Sequence, residues 1–273
     1  MWYYFGGCDV ARGGAGLSKR SGDDFVLATM RADETGPVQI VDLFRKTGIE
    51  AGQASALIHK KNNAFRYTRL VMDPSGGGLG VRDELRKPIQ NTGKEQFMVT
   101  PIITEWDEQL FGVGNPILAL FMRGETMIQK SGMIFPAESS LIGQAHEKFR
   151  AALQLGDLKA PPSWTGWPRG MNHVDTRRLW LNEQPGMGAV ARAQAEIDLA
   201  LLQLIEVERK AGPDGEPLLD KHGQYTWTSR YKKDAAYALV YCYFSVHIWR
   251  QAMAASQFGN EEEGEFVSAT QVV

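Results

Sequence analysis

Short apolar runs separated by polar turns open the chain, and they predict strands before any helix. The first three runs are joined by glycine-rich or polar segments, which is typical of an antiparallel meander. Later apolar residues recur at helical spacing. The elements predicted over this part are strands at 1–10, 25–31 and 38–45, a helix at 50–63, a strand at 69–73, a helix at 79–89 and a strand at 96–104.

This order of elements indicates one class of fold. A doubly wound sheet would alternate strand and helix from the start, whereas here three strands precede the first helix. We therefore predict an α/β chain of RNase H-like fold. Its mixed central sheet would consist of a three-strand antiparallel meander followed by parallel strands, with helices on its faces.

The second half of the chain is less regular and is predicted in pieces. These are an apolar segment at 117–122, a helix at 140–155, a loop at 160–170, a helix at 189–209, a β-hairpin through a turn at 212–215 to a strand at 223–227, and a last helix at 234–255. Clustered glutamates follow that helix, so we predict one domain over residues 1–258 and an acidic, disordered tail over 259–273.

Composition is that of an ordinary globular protein. The chain has 273 residues, 43% of them hydrophobic and 23% charged, with a net charge of −2, so contacts to nucleic acid would need local basic patches. Cys8 and Cys242 are predicted to be buried free thiols. We see neither a signal peptide nor a membrane span, which predicts a soluble cytoplasmic protein.

Three aspartates lie at the edges of apolar segments. Asp9 ends the first run, Asp73 ends the strand at 69–73, and Asp234 opens the last helix. Each alone is explained by a turn or a helix N-cap. Together, in this order of elements, they predict a site for two Mg²⁺ or Mn²⁺ ions that cleaves phosphodiesters. Whether Asp24 or Asp83 joins this site stays open.

Basic residues next to these motifs are candidate DNA contacts, because a nuclease that tolerates many sequences holds phosphates with cations. Arg12, Lys19 and Arg20 follow the first aspartate, and Lys232 and Lys233 precede the last one. Ordinary solvated surface explains each of these residues equally well.

Three segments carry a resemblance to a known family. They are GCDVARGG at 7–14, MDPSGGGLGVRDEL at 72–85 and KKDAAYALVY at 232–241. In these motifs and their order, the chain resembles the C-terminal nuclease domain of large terminase subunits of tailed bacteriophages. The resemblance covers about residues 1–255, and the second and third motifs are its more specific parts.

The resemblance implies an endonuclease that cuts double-stranded, concatemeric viral DNA during genome packaging in the host cytoplasm. The family's acidic metal ligands correspond to Asp9, Asp73 and Asp234. The implied partners are DNA, the portal and the small terminase subunit. A packaging ATPase domain normally shares the polypeptide, but this sequence has no Walker motif. We interpret it as an isolated nuclease domain.

Other functions compete with this interpretation. Within the same fold, a Holliday-junction resolvase is the main alternative. A sugar-kinase-like or actin-like ATPase also opens with an Asp-Gly turn and a meander, but its further phosphate motifs are not evident. A non-catalytic DNA-docking module of a packaging motor would have no reason to bring three aspartates together.

Overall fold

The computed structural model describes residues 1–10, 24–72, 78–85, 103–104, 118–121, 141–205, 207–219, 227–229 and 234–268. The strands are β1 (Tyr3–Asp9), β2 (Asp24–Ala32), β3 (Val38–Thr47), β4 (Tyr67–Met72), β5 (Ile103–Thr104), β6 (Leu118–Phe121), β7 (Leu158–Lys159), β8 (Val207–Arg209) and β9 (Trp227–Ser229). The helices are α1 (Ala51–Phe65), α2 (Gly78–Leu85), α3 (Leu141–Leu155), α4 (Val174–Asn182), α5 (Ala189–Ile205) and α6 (Asp234–Ser268).

Seven strands form one mixed sheet in the order β5-β6-β4-β1-β2-β3-β7. β1, β2 and β3 pair antiparallel, whereas β4, β6 and β5 continue from β1 in parallel pairs, and β7 pairs parallel to β3. β8 and β9 form a separate antiparallel hairpin ahead of α6. The predicted RNase H-like fold, with its meander, its parallel strands and its added hairpin, is therefore confirmed.

Alternating side chains on the sheet build two hydrophobic cores. Phe5 and Val26 belong to a core shared with α3, α5 and α6, and we call this side of the sheet the α6 face. Cys8 and Leu27 belong to a core shared with α1 and α2, and we call that side the α1 face. Because successive residues of a strand point to opposite faces, each strand contributes to both cores.

Helix α6 lies directly on β1, and Gly7 makes this possible. A Cβ atom at Gly7 would lie 2.1 Å from the backbone nitrogen of Cys242 and 2.3 Å from the carbonyl oxygen of Ala238. The Cys242 thiol donates a hydrogen bond to the carbonyl oxygen of Phe5 at 3.2 Å, and burial raises the pKa of this thiol. The absence of a side chain at position 7 therefore sets the distance between helix and strand.

A second set of contacts holds α6 farther along its length. Arg250 donates from Nη2 to the carbonyl oxygen of Asp33 at 3.2 Å, and its Nη1 lies 3.4 Å from Oδ2 of Asp157. The hydroxyl of Tyr243 donates to the same Asp157 oxygen at 2.9 Å. These contacts tie the helix to the turn after β2 and to the segment between α3 and β7.

Several predicted boundaries are wrong. The helix predicted at 189–209 ends at Ile205, because Val207–Arg209 pair with β9 instead. Neither β7 nor α4 was predicted. β7 is only two residues long, and α4 is a short helix that fully buries just Val174 and Leu181. Parts of the elements predicted at 79–89, 96–104 and 117–122 lie outside the described residues.

The last helix is longer than predicted and ends at Ser268. It therefore continues past residue 258, and the division of the chain into a domain over 1–258 and a disordered tail over 259–273 stays a prediction. Both cysteines are free and buried as predicted, one on each face of the sheet. Among the described helices, none is long and apolar enough to cross a membrane.

Replacing Gly7 by alanine should destabilise the protein, because the added methyl group meets helix backbone that no side-chain rotation can clear. Overpacking typically costs about 1–3 kcal/mol, and we expect the upper part of that range. Urea unfolding followed by circular dichroism measures the loss. Gly80→Ala is the matched control. Its Cβ would lie at 3.5 Å from that of Ala51, so this variant should unfold no earlier than the wild type.

Candidate active site

Asp9 ends β1 at the rim of the α6 face. It is the register partner of Val26 on β2. Its side chain follows the alternation set by Phe5, which is in the α6-face core, and by Gly7, which faces α6. The residue is half-buried. The Asp9 carboxylate therefore lies at the point where the buried strand reaches solvent.

Asp234 begins α6 at the same rim. Its Oδ2 accepts a hydrogen bond from the backbone N–H of Asp24 at 2.9 Å. Asp24 is the first residue of β2 and lies two positions before Val26, the partner of Asp9. α6 then runs over β1, with Ala238 against Gly7. The structure thus brings Asp9 and Asp234 to one end of the sheet and to one face.

The third predicted ligand, Asp73, lies outside the described residues and directly follows β4 in the chain. Met72 is the last residue of β4 and pairs in parallel with Cys8, so β4 ends level with the residue before Asp9. Five predicted DNA contacts also lie outside the described residues. These are Arg12, Lys19, Arg20, Lys232 and Lys233.

The first turn of α6 is capped from α5. The Oε1 atom of buried Gln203 accepts hydrogen bonds from the backbone N–H groups of Ala235 at 3.1 Å and Ala236 at 3.3 Å. The first N–H groups of a helix have no partner within the helix, so these two bonds satisfy buried donors. Gln203 therefore helps to fix where α6 starts, and with it the position of Asp234.

Charged and polar side chains surround Asp24, and we call them the Asp24 network. Its members are Asp24, Arg45, Thr47, Arg178, Asn182, Arg192 and Glu196. At its centre, Arg45 donates from Nη1 to Oδ2 of Asp24 at 3.1 Å and from Nε to Oε2 of Glu196 at 2.8 Å. All three of these side chains are 1% exposed.

Further contacts complete the network around these three side chains. The hydroxyl of Thr47 donates to Oδ1 of Asp24, and Nη1 of Arg178 lies 3.5 Å from Oδ2 of Asp24. Burial alone would lower the pKa of Arg45, but the charges of Glu196 and Asp24 outweigh burial and raise the pKa. The backbone N–H of Asp24 therefore donates to Asp234, while the Asp24 carboxylate contacts other members of the network.

Asp83, the other acid whose role the sequence leaves open, lies elsewhere. It is exposed on α2, and α2 packs on the α1 face through Val81 and Leu85. The sheet itself therefore separates Asp83 from Asp234.

Two half-buried carboxylates at one rim suit a hard divalent cation, because Mg²⁺ and Mn²⁺ prefer oxygen ligands and Mg²⁺ needs few carboxylates. Within the part of the chain that the structure describes, no group of three His, Cys, Asp or Glu side chains is close enough to hold a metal ion. Asp9 and Asp234 supply two carboxylates. Their donor chemistry fits a divalent metal.

No family model and no curated protein matches the sequence. The chain is similar in structure to the large terminase nuclease from thermophilic phage G20c with bound magnesium. The identity is 12% and the TM-score 0.44, over 89% of this chain and 80% of that one.

Two further structures that it resembles are also large terminase nuclease domains. The domain from bacteriophage SPP1 with bound Mn is 10% identical, with a TM-score of 0.42 over 88% of this chain and 85% of that one. The domain of gp2 from bacterial virus Sf6 is 11% identical, with a TM-score of 0.40 over 88% and 87%. Similarity at this level does not transfer an activity, so a function depends on the residues of this chain.

Sequence reasoning missed the residues that support the site. Glu196 and Gln203 lie on the buried face of α5 beside Ile197, Leu199 and Ala200. A polar residue on an apolar helix stripe usually has a buried partner, and this signal was present in the sequence. One partner of Glu196 is Arg192, four residues before it, but its other partner, Arg45, lies 151 residues away and was not predictable.

Replacing Gln203 by methionine should destabilise the start of α6, because two buried N–H groups lose their acceptor. A buried group left unsatisfied costs about 1–3 kcal/mol. We expect thermal unfolding to show a loss in this range. Gln203→Glu keeps an acceptor at the same place and should lose less. Equal stability of the methionine variant and the wild type would contradict the capping role.

Proposed function

We propose that this protein is a metal-dependent endonuclease that hydrolyses phosphodiester bonds of double-stranded DNA. The observation that carries the proposal is the placement of Asp9 and Asp234. They come from opposite ends of the described chain, yet lie at one rim of the sheet and on one face. A carboxylate pair at the end of a buried strand has no packing role and suits a metal.

We propose Asp73 as the third ligand. Val71 belongs to the α6-face core and Met72 to the α1-face core, so β4 alternates in step with β1 up to its last residue. A strand that continued by one residue would present position 73 to the α6 face, as β1 presents Asp9. This expectation agrees with the sequence motif and awaits its own test.

The three aspartates would hold the metal from three parts of the fold. Asp9 would bind from the end of β1, Asp73 from the position that follows β4, and Asp234 from the start of α6. The positive end of the α6 dipole favours the anionic form of Asp234. When bound, two Mg²⁺ or Mn²⁺ ions activate a water nucleophile and neutralise the leaving oxygen. Arg12, Lys19, Arg20, Lys232 and Lys233 would hold the DNA phosphates.

The narrower biological role rests on the three sequence motifs. We propose that the enzyme cuts concatemeric viral DNA during genome packaging in the host cytoplasm. Its partners would be a packaging ATPase, a portal protein and a small terminase subunit.

Replacing any one of the three aspartates by asparagine should abolish metal-dependent cleavage, because each variant loses a ligand but keeps its size. The assay is nicking and linearisation of plasmid DNA with Mg²⁺, Mn²⁺ or EDTA. We expect a loss of at least about 100-fold for Asp9→Asn, Asp73→Asn and Asp234→Asn, since even outer partners of metal ligands are worth about 10–100-fold.

Asp83→Asn is the matched control and should cleave like the wild type, because Asp83 is exposed on the opposite side of the sheet. Circular dichroism and melting temperature establish that each variant is folded. A folded Asp9 or Asp234 variant with full activity would contradict the metal site. If the folded wild type fails to cleave DNA when Mg²⁺ or Mn²⁺ is present, that result favours a DNA-docking module or a nuclease that needs its ATPase partner.

A further inference from the structure

The backbone N–H group that donates to Asp234 belongs to Asp24, and several other residues contact Asp24. Asp24 pairs with Thr47 in the β2–β3 register, and the hydroxyl of Thr47 also donates to its Oδ1. Arg45 and Arg178 contact its Oδ2 at 3.1 Å and 3.5 Å. Both backbone pairing and side-chain contacts therefore fix where the Asp24 N–H points.

The contacts on the Asp24 carboxylate come from two separate parts of the fold. Arg45 and Thr47 lie on β3, and Arg178 lies on α4. Glu196 on α5 holds Arg45 through its Nε at 2.8 Å and its Nη2 at 3.3 Å. Asn182, at the end of α4, accepts from Nη2 of Arg45 at 3.1 Å. The outer helical layer is thus connected to Asp234 through Asp24.

Helix α4 is itself anchored on α5. This contact fixes the backbone position from which the side chain of Arg178 extends. Trp164, Trp167 and Trp180 form one aromatic cluster, with ring centroids 4.9–5.7 Å apart. The indole N–H of Trp167 donates to Oδ2 of Asp198 on α5 at 2.6 Å.

Stability alone is a weak reason for such a network. Desolvating buried ions costs about as much as their attraction returns, and well-packed apolar residues often serve equally well. What the network does provide is a fixed direction for one N–H group. A hydrogen bond to one oxygen of Asp234 fixes the rotation of the whole carboxylate.

We propose that Asp24 is a positioning residue that orients Asp234 for metal binding, and that the Asp24 network holds it in place. The inference rests on the proposed metal site. Partners behind metal ligands commonly act in this way, and their loss costs about 10–100-fold in metal affinity or activity. Asp24 itself is not assigned as a ligand, since its carboxylate contacts Arg45, Thr47 and Arg178.

The test measures Mn²⁺ binding to the full chain by isothermal titration calorimetry, beside the melting temperature. Asp24→Asn keeps the backbone N–H and the size of the side chain but removes the charge that holds Arg45 and Arg178. We expect its Kd for Mn²⁺ to rise about 10–100-fold. Thr47→Val removes one hydroxyl from an exposed position and should raise the Kd by less, in the same direction.

Arg250→Met is the matched control, because it also breaks an arginine–carboxylate pair, here one that ties α6 to the rest of the fold away from Asp234. It should lower the melting temperature and leave the Kd for Mn²⁺ unchanged. If the role of the Asp24 network is purely structural, Asp24→Asn will likewise lower the melting temperature and leave the Kd for Mn²⁺ unchanged.

The outcomes separate the two proposals. If Asp24→Asn and Thr47→Val fold and bind Mn²⁺ with the wild-type Kd, the positioning role alone is overturned. If Asp24→Asn does not fold, the Kd of Thr47→Val decides the question. A folded wild type that binds no Mn²⁺ overturns both the positioning role and the metal site. Weaker Mn²⁺ binding by Asp24→Asn and Thr47→Val, together with an unchanged Kd for Arg250→Met, supports both the positioning role and the metal site.

Discussion

The close packing of α6 on β1 is the constraint on which the rest of the structure depends. A glycine at position 7 lets helix backbone approach strand backbone, and a single methyl group there would collide with Ala238 and Cys242. Because both elements are rigid, their contact also fixes their ends. Asp9 ends the strand and Asp234 begins the helix, so one packing contact places two carboxylates that are distant in sequence at the same rim of the sheet.

Buried polar groups then refine this arrangement. Gln203 satisfies the first N–H groups of α6, and the backbone of Asp24 binds the carboxylate of Asp234. Arg45, with its raised pKa, stays charged between Asp24 and Glu196. Unpaired charges would be costly at this depth, but here each buried charge has an opposite partner. The fold thus combines an apolar contact that sets distance with polar contacts that set direction.

Local patterns made the meander, its order and the aspartates at element ends predictable, because alternation and turn residues act over a few positions. Support for the site was not predictable. Arg45 looks like an ordinary charge at a strand end until folding brings it to Glu196, 151 residues on. α4 depends on packing among Trp164, Trp167 and Trp180, which no periodicity shows. The residues of β8 were predicted as the end of a helix. They form a strand only because they pair with β9, which lies farther along the chain.

The most direct test of the central claim is a crystal structure of the chain grown with Mn²⁺, with the ion located by its anomalous scattering. The account predicts an anomalous peak at the rim of the α6 face, with carboxylate oxygens of both Asp9 and Asp234 among its ligands. Well-ordered carboxylates at both positions without a shared metal peak would contradict it.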